Sequence, residues 1–240
     1  MHRFNFDSNS ILKSLYIEFK STTEYIHSVR RANDKKQVRV EPYEPSMFIF
    51  SFFTFNTLYN IYWKKTVSNG CQEVVPNTRK IELDRIYDYL EYIWSSNGPK
   101  EIAIVFRTTI EQVIRQYLSE KGLSAGSESI ARWITDNMNK FDLGPKKDGK
   151  GNKFKEDDIK TFKEYIIKPF NNQNLELSEI QHIIKIIYLV RCNLFHGAKD
   201  PEFFEEHHQM ERFVIYAAAL TAINQLLFST INRKLYRCAR

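Results

Sequence analysis

Arg191 and His196 are the two side chains whose types and spacing could do chemistry together. A guanidinium stays charged and offers a planar fork of N–H donors to phosphate oxygens. An imidazole has an ordinary pKa near ~6.5, so it can take up and release protons at neutral pH. Asn193 lies three residues before His196, on its side of a helix, where an amide could orient a ribose or a phosphate. This set suits cleavage of an RNA backbone by its own 2′-hydroxyl, because histidine can move the protons and arginine can stabilise the transition state.

The same residues also fit an ordinary helix end. A histidine just before a glycine, here Gly197, is common where a helix closes, and it is favourable beside the carboxyl end of the helix dipole. Arg191 and His196 are five residues apart, so on an ideal helix their side chains point about 140° from each other. The pair therefore converges only if the helix loosens at Gly197, or if a groove wraps the helix end so that both side chains line it.

Apolar residues at helical spacing predict long α-helices with short breaks, and no segment carries more than a weak strand signal. The helices that start near Ser46, Glu101, Leu177 and Glu202 are predicted to form the core of an all-α bundle. The predicted helical segments are residues 10–29, 46–66, 79–95, 101–121, 127–138, 157–170, 177–191 and 202–231.

The second of these segments is rich in aromatic residues, and Ser46 is predicted to cap it. Phe53 and Trp63 are expected to widen its stripe, so that the helix is buried on most sides. Asn56 is a polar residue inside this apolar run, and a buried amide needs a partner or a site to serve. The run is barely long enough to cross a bilayer and contains polar residues, so a buried helix is predicted instead of a membrane span. The aromatic stripe comprises Phe48, Phe52, Phe55, Tyr59 and Tyr62.

Length and composition favour one large globular domain that binds an anionic partner. The 240 residues can bury a sizeable core, and a formal charge of +6 favours nucleic acid as the first candidate. The three cysteines are an odd number without metal-ligand spacing, which indicates free thiols and predicts no metal site. The N-terminus lacks the apolar stretch of a signal peptide, so a cytoplasmic location is expected.

Two basic segments, residues 30–39 and 146–155, are predicted to be exposed loops. Lys146, Lys147 and Lys150 in the second loop could capture RNA without sequence preference. Lys199 could contact a backbone phosphate close to the Arg191 stretch. Plain solvated surface charge explains Lys199 equally well.

Residues 191–196 have the form Arg, four residues, His, and this string resembles the Arg-x4-6-His signature of HEPN superfamily ribonucleases. The continuation from Gly197 to Pro201 is similar to the His-Gly-x-Lys-x-Pro ending of HEPN domains in bacterial defence proteins of the ApeA-like kind. The resemblance covers residues 46–231, with residues 123–174 as an insertion and residues 1–45 as an added N-terminal helix and basic loop. The chain departs from many members at Cys192, where they carry a polar residue, and Asn193 replaces the tyrosine of HepT-type toxins.

The resemblance implies an antiparallel four-helix bundle that dimerises, so that two motif helices meet and both Arg191/His196 pairs line one cleft at the two-fold interface. It implies metal-independent cleavage of RNA without a cofactor, leaving a 2′,3′-cyclic phosphate. It also implies a toxin or antiviral (abortive infection) effector, with an antitoxin or regulatory protein as a further partner.

Two other interpretations stay open at this point. A non-catalytic HEPN module would bind RNA, a nucleotide or a partner protein through the same cleft. A helical oligomerisation domain would use the Arg191 stretch only as a helix end.

Overall fold

The computed structural model describes residues 43–68, 82–123, 127–139, 156–195 and 210–238. Within these ranges the chain forms seven α-helices, one 3-10 turn and no strand, which confirms the predicted all-α fold. The helices are α1 (Tyr43–Ser68), α2 (Glu82–Asn97), α3 (Pro99–Glu120), α4 (Ser127–Asn139), α5 (Glu156–Ile167), α6 (Leu177–Phe195) and α7 (Met210–Cys238), and the 3-10 turn at Lys168–Asn171 follows α5 directly.

The predicted break between the second and third of these helices is confirmed. Helix α2 ends at Asn97 and α3 begins at Pro99, so Gly98 alone connects them. Gly98 has φ 81° and ψ 157°, a backbone region that is essentially restricted to glycine. Pro99 fits the first position of α3 because the N–H that it lacks would have no partner inside the helix.

One predicted cap is wrong. Helix α1 begins at Tyr43, so Ser46 lies inside the first turn and is not the residue that precedes the helix. The predicted helix at residues 10–29, the basic loops at 30–39 and 146–155, and the predicted start of the last helix at Glu202 lie outside the described residues.

Helix α7 lies at the centre of the described structure. Every residue from 212 to 220 is buried, and α1 and α3 make the most extensive contacts with this helix. The short side chains of three consecutive alanines, residues 217–219, let neighbouring helices approach α7 closely. The ring of Phe48 on α1 packs against Phe213 and Tyr216 of α7, with centroids 5.6 and 5.9 Å apart.

Four of the five residues in the predicted aromatic stripe of α1 are buried, and the fifth, Tyr62, is partly buried. Phe48, Phe52, Phe55 and Tyr59 are each at most 1% exposed. Phe53 is 45% exposed, so the prediction that it widens the buried face is wrong. Within the described ranges, no helix is long and apolar enough to cross a membrane.

The buried core draws on more helices than the four that the sequence placed there. Helix α2 contributes Tyr89 and Leu90, and helices α4 and α5 of the predicted insertion contribute Ile134 and Phe162 to the same cluster. Helix α2 packs against α1, α6 and α7. It therefore connects α6, the helix that carries Arg191, to α1 and α7, while α6 also packs against α5.

Candidate functional site

Arg191 lies near the end of α6, in line with the apolar face of that helix. Ile184 and Ile187 are fully buried, and steps of three and four residues lead from them to Tyr188 and Arg191. These positions fall at the margin of the buried face, where a long side chain can cover apolar surface with its stem. The side chain of Arg191 is accordingly 27% exposed, compared with 38% for Arg115 on α3.

The guanidinium of Arg191 faces a carboxylate from α2. Its Nη1 lies 4.0 Å from Oε2 of Glu82, whose side chain is 26% exposed. The hydroxyl of Tyr188 donates a hydrogen bond to the same Oε2 at 2.9 Å. The hydroxyl of Tyr59, on α1, makes a short hydrogen bond to the other oxygen, Oε1. The Glu82 carboxylate thus connects α1, α2 and α6.

Aromatic rings surround the arginine. The Cζ of Arg191 lies 5.3 Å from the ring centroid of Phe52 and 5.9 Å from that of Tyr188. Cation–π contacts of this kind contribute about 0.5–2 kcal/mol, with the higher values where water is excluded. The Nη1 group also lies 3.8 Å from the Sγ of Cys192, a free thiol. The positive charge is therefore held in a partly dry environment.

A second set of polar side chains continues from Tyr59 along α1. The amide of Asn60 donates to both the carbonyl and Oδ1 of Asn56, at 2.8 and 3.0 Å. Arg85 on α2 donates from Nη1 to Oδ1 of Asn60 at 3.1 Å, and its Cζ lies 5.4 Å from the ring of Trp63. The Tyr59 hydroxyl contacts Asn56 as well as the carboxylate. Asn56 has the partners that its place in an apolar run requires.

We call Asn56, Tyr59, Asn60, Glu82, Arg85, Tyr188 and Arg191 the Glu82 cluster. Its two guanidinium groups and one carboxylate leave a net positive charge, which favours an anionic ligand. Burial, and then the hydrogen bond to Glu82, raise the pKa of Tyr59 and of Tyr188 far above their ordinary value. Both hydroxyls therefore stay protonated near neutral pH and act as hydrogen-bond donors, not as bases.

Most of the predicted site residues fall outside this cluster. The backbone of Asn193 belongs to α6, and the position of its side chain lies outside the described structure. His196 and Lys199 lie outside the described residues, as do Lys146, Lys147 and Lys150. The pairing of Arg191 with His196 therefore stays a prediction.

The cluster is only partly predictable from the sequence. Asn56 stands out as a polar residue between aromatic ones, whereas the stripe that includes Tyr59 predicts a buried ring and indicates nothing about its hydroxyl. Glu82 and Arg85 are three residues apart on α2, a spacing that places them on one face. That spacing is consistent with a polar contact to the amides of α1. No local feature of the sequence indicates that α6 also contributes side chains to the cluster.

Comparison of the chain with protein-family models, with curated proteins and with solved structures found no match. Among the described residues, no three His, Cys, Asp or Glu side chains converge in a way that could hold a metal ion. Function must therefore be inferred from the chemistry of the residues themselves.

Proposed function

We propose that the chain is a metal-independent endoribonuclease of the HEPN type, acting as a toxin or antiviral effector. The observation that carries the proposal is the environment of Arg191. An arginine that only solubilises a helix end extends into water, whereas Arg191 is held between Phe52, Tyr188 and Glu82 at the margin of the core. Keeping a guanidinium partly out of water is costly for stability, and the carboxylate and rings that hold it there support a role for Arg191 in binding an anion.

The proposed reaction needs no nucleophile from the protein. The 2′-oxygen loses its proton to His196 and attacks the adjacent phosphorus, and the bond to the 5′-oxygen breaks as that oxygen gains a proton. The products are a 2′,3′-cyclic phosphate and a 5′-hydroxyl. Arg191 stabilises the charge that develops on the phosphoryl oxygens, and the rings beside it strengthen this attraction by excluding water. Asn193 orients the ribose or the phosphate in this scheme.

Flanking nucleotides would be held by positive charge. Lys199 follows the motif closely in sequence and is assigned to a neighbouring phosphate, and Lys146, Lys147 and Lys150 are assigned to non-specific capture of the strand. This part of the proposal predicts that affinity for RNA falls steeply with salt, because each phosphate contact releases counterions.

The purified chain should cleave single-stranded RNA in EDTA, and Arg191→Ala or His196→Ala should abolish cleavage while the helical circular dichroism persists. Arg115→Ala is the matched control, since Arg115 pairs with Glu111 on the surface of α3. If both variants still cleave RNA, the ribonuclease proposal is refuted. Binding without turnover would identify the non-catalytic HEPN module, and neither binding nor turnover would leave a helical oligomerisation domain.

The same variants test the proposed dimer. If Arg191 of one protomer works with His196 of the other, then mixing the two inactive proteins forms heterodimers with one intact site of two. When protomers exchange at random, half of the dimers are heterodimers, and each of these has one active site of two. About a quarter of the wild-type activity should therefore return. A site built within one protomer predicts no recovery on mixing.

A further inference from the structure

Both oxygens of the Glu82 carboxylate have a tyrosine hydroxyl as hydrogen-bond partner, and the guanidinium of Arg191 lies 4.0 Å from one of them. We propose that Glu82 is a positioning residue, which fixes the guanidinium of Arg191 for the scissile phosphate without touching the substrate itself. This inference rests on the proposed ribonuclease function.

Two tyrosines fix the carboxylate from separate helices. Tyr188 donates to Oε2 from α6 and Tyr59 donates to Oε1 from α1, so both oxygens have a hydroxyl partner. Tyr59 is fully buried, and its ring packs against Phe55 with centroids 5.4 Å apart. The single hydroxyl proton of Tyr59 lies within reach of both Oε1 of Glu82 and Oδ1 of Asn56, and the buried ring fixes the position of the hydroxyl between these two acceptors. The carboxylate therefore has a defined place before any ligand arrives.

The distance to Arg191 distinguishes positioning from an ordinary ion pair. The 4.0 Å between Nη1 and Oε2 is beyond hydrogen-bond range, whereas the similarly part-buried pair of Arg115 and Glu111, one turn apart on α3, closes to 2.7 Å. A carboxylate at the longer distance orients the guanidinium by charge. A phosphate oxygen would form charge-assisted hydrogen bonds about 2.7–2.9 Å long, so it can outcompete this contact.

Pre-orientation is useful because an arginine side chain has many rotamers. An arginine whose guanidinium is already oriented loses less side-chain conformational entropy when the phosphate binds. Correct orientation contributes most in the transition state. The cost is a negative charge close to the phosphate, which weakens ground-state binding. Glu82 is therefore expected to improve turnover and not affinity, a division that a purely structural residue would not produce.

The first test measures Arg191 directly and needs no enzymatic activity. The arginine reagent phenylglyoxal is applied to the wild type, Glu82→Gln and Tyr188→Phe, and the labelling rate of each arginine is read by peptide mass spectrometry. Labelling of Arg191 should rise several-fold in Glu82→Gln and to a smaller extent in Tyr188→Phe, which keeps the carboxylate but loses one anchor. Arg115 should be unchanged in both, and Glu111→Gln should raise labelling of Arg115 alone.

The second test separates turnover from affinity. In Glu82→Gln, kcat for RNA cleavage should fall about 10–100-fold, the range expected when a reacting group is misplaced. The Kd for an RNA with 2′-O-methyl at the cleavage site should stay the same or tighten, because a negative charge has been removed. Glu111→Gln should change neither quantity.

The outcomes distinguish the inference from the function on which it rests. Unchanged labelling of Arg191 in both cluster variants overturns the positioning role, whatever the wild type does to RNA. A parallel loss of kcat and affinity, with faster labelling of every arginine, overturns it in favour of a structural role. Faster labelling of Arg191 alone, in a wild type that cleaves no RNA, supports the positioning contact and overturns the ribonuclease proposal.

Discussion

Removing the hydroxyl of Tyr59 should destabilise the protein more than its small size indicates. The change Tyr59→Phe keeps a fully buried ring and its packing against Phe55, and deletes one donor to the Glu82 carboxylate. A hydrogen bond to a charged group contributes about 1.5–3 kcal/mol, and Glu82 is partly exposed, so water can replace some of the loss. We therefore expect about 2 kcal/mol, which lowers Tm by about 4–8 °C in a chain of this length.

The difference in the free energy of unfolding between the wild type and Tyr59→Phe should depend on pH, because the Tyr59 hydroxyl can titrate. Burial first, and then Glu82, raise the pKa of Tyr59 above the value near ~10 that it has in the unfolded chain. The hydroxyl's contribution is therefore complete below about pH 10 and is lost as the pH rises further, because only the unfolded chain releases the proton. Phenylalanine has no proton to release, so the stability gap between wild type and variant should narrow at high pH.

Urea denaturation followed by circular dichroism at pH 7.5 and pH 10.5 measures both effects. Tyr165→Phe is the matched control, because the Tyr165 ring packs against His182 and its hydroxyl makes no hydrogen bond to a described residue. The control should change the free energy of unfolding by less than about 0.5 kcal/mol. The reasoning fails if Tyr59→Phe costs no more than the control, or if its cost is the same at both pH values.

Two further predictions concern residues outside the cluster. Burial alone would raise the pKa of Glu44, but the hydrogen bond from Lys121, with smaller contributions that include Tyr117, lowers it overall. The stability that this carboxylate adds is therefore present above about pH 4.5 and lost in acid, so Lys121→Met should cost about 1 kcal/mol at pH 7 and move acid unfolding to higher pH. An unchanged acid midpoint, followed by circular dichroism, would contradict this. Gly98→Ala should cost about 1–3 kcal/mol in urea denaturation through backbone strain alone, because an added Cβ would meet no atom within 4 Å. A cost below about 0.5 kcal/mol would show that α2 and α3 can rearrange at their junction.

The helices could be predicted because their signals are local, and the errors arose where local signals compete. Ser46 is predicted to cap α1, but the helix begins three residues earlier at Tyr43. Pro45 then lies in the first turn, where the N–H that proline lacks would have no partner inside the helix. Phe53 is one residue from Phe52, a step of about 100° around the helix, and this places it on a different face from Phe52 and Phe55, a face that is exposed at this position.

The candidate site was less predictable because its contacts are distant in sequence. Tyr188 and Glu82 are separated by 106 residues, and no periodicity indicates which helix will supply a partner at that distance. Arg191 was found from its residue type and its place near a helix end. Glu82 has neither cue, since an acidic residue in the first turn of a helix is ordinary. Asn56 is a local sign that α1 borders something polar.

The contacts of Arg191 also restrict how a second copy could complete the proposed site. Phe52 on α1 and Glu82 on α2 both face the guanidinium, so this arginine is turned toward helices of its own protomer. A phosphate that binds there must approach along the edge of α6 that borders α1 and α2. In the proposed dimer, His196 of the partner subunit must then reach that same edge, and not the side of α6 that packs against α5. The two-fold axis of an active dimer is accordingly expected beside α1 and α2, where the net positive Glu82 cluster would lie next to the bound strand.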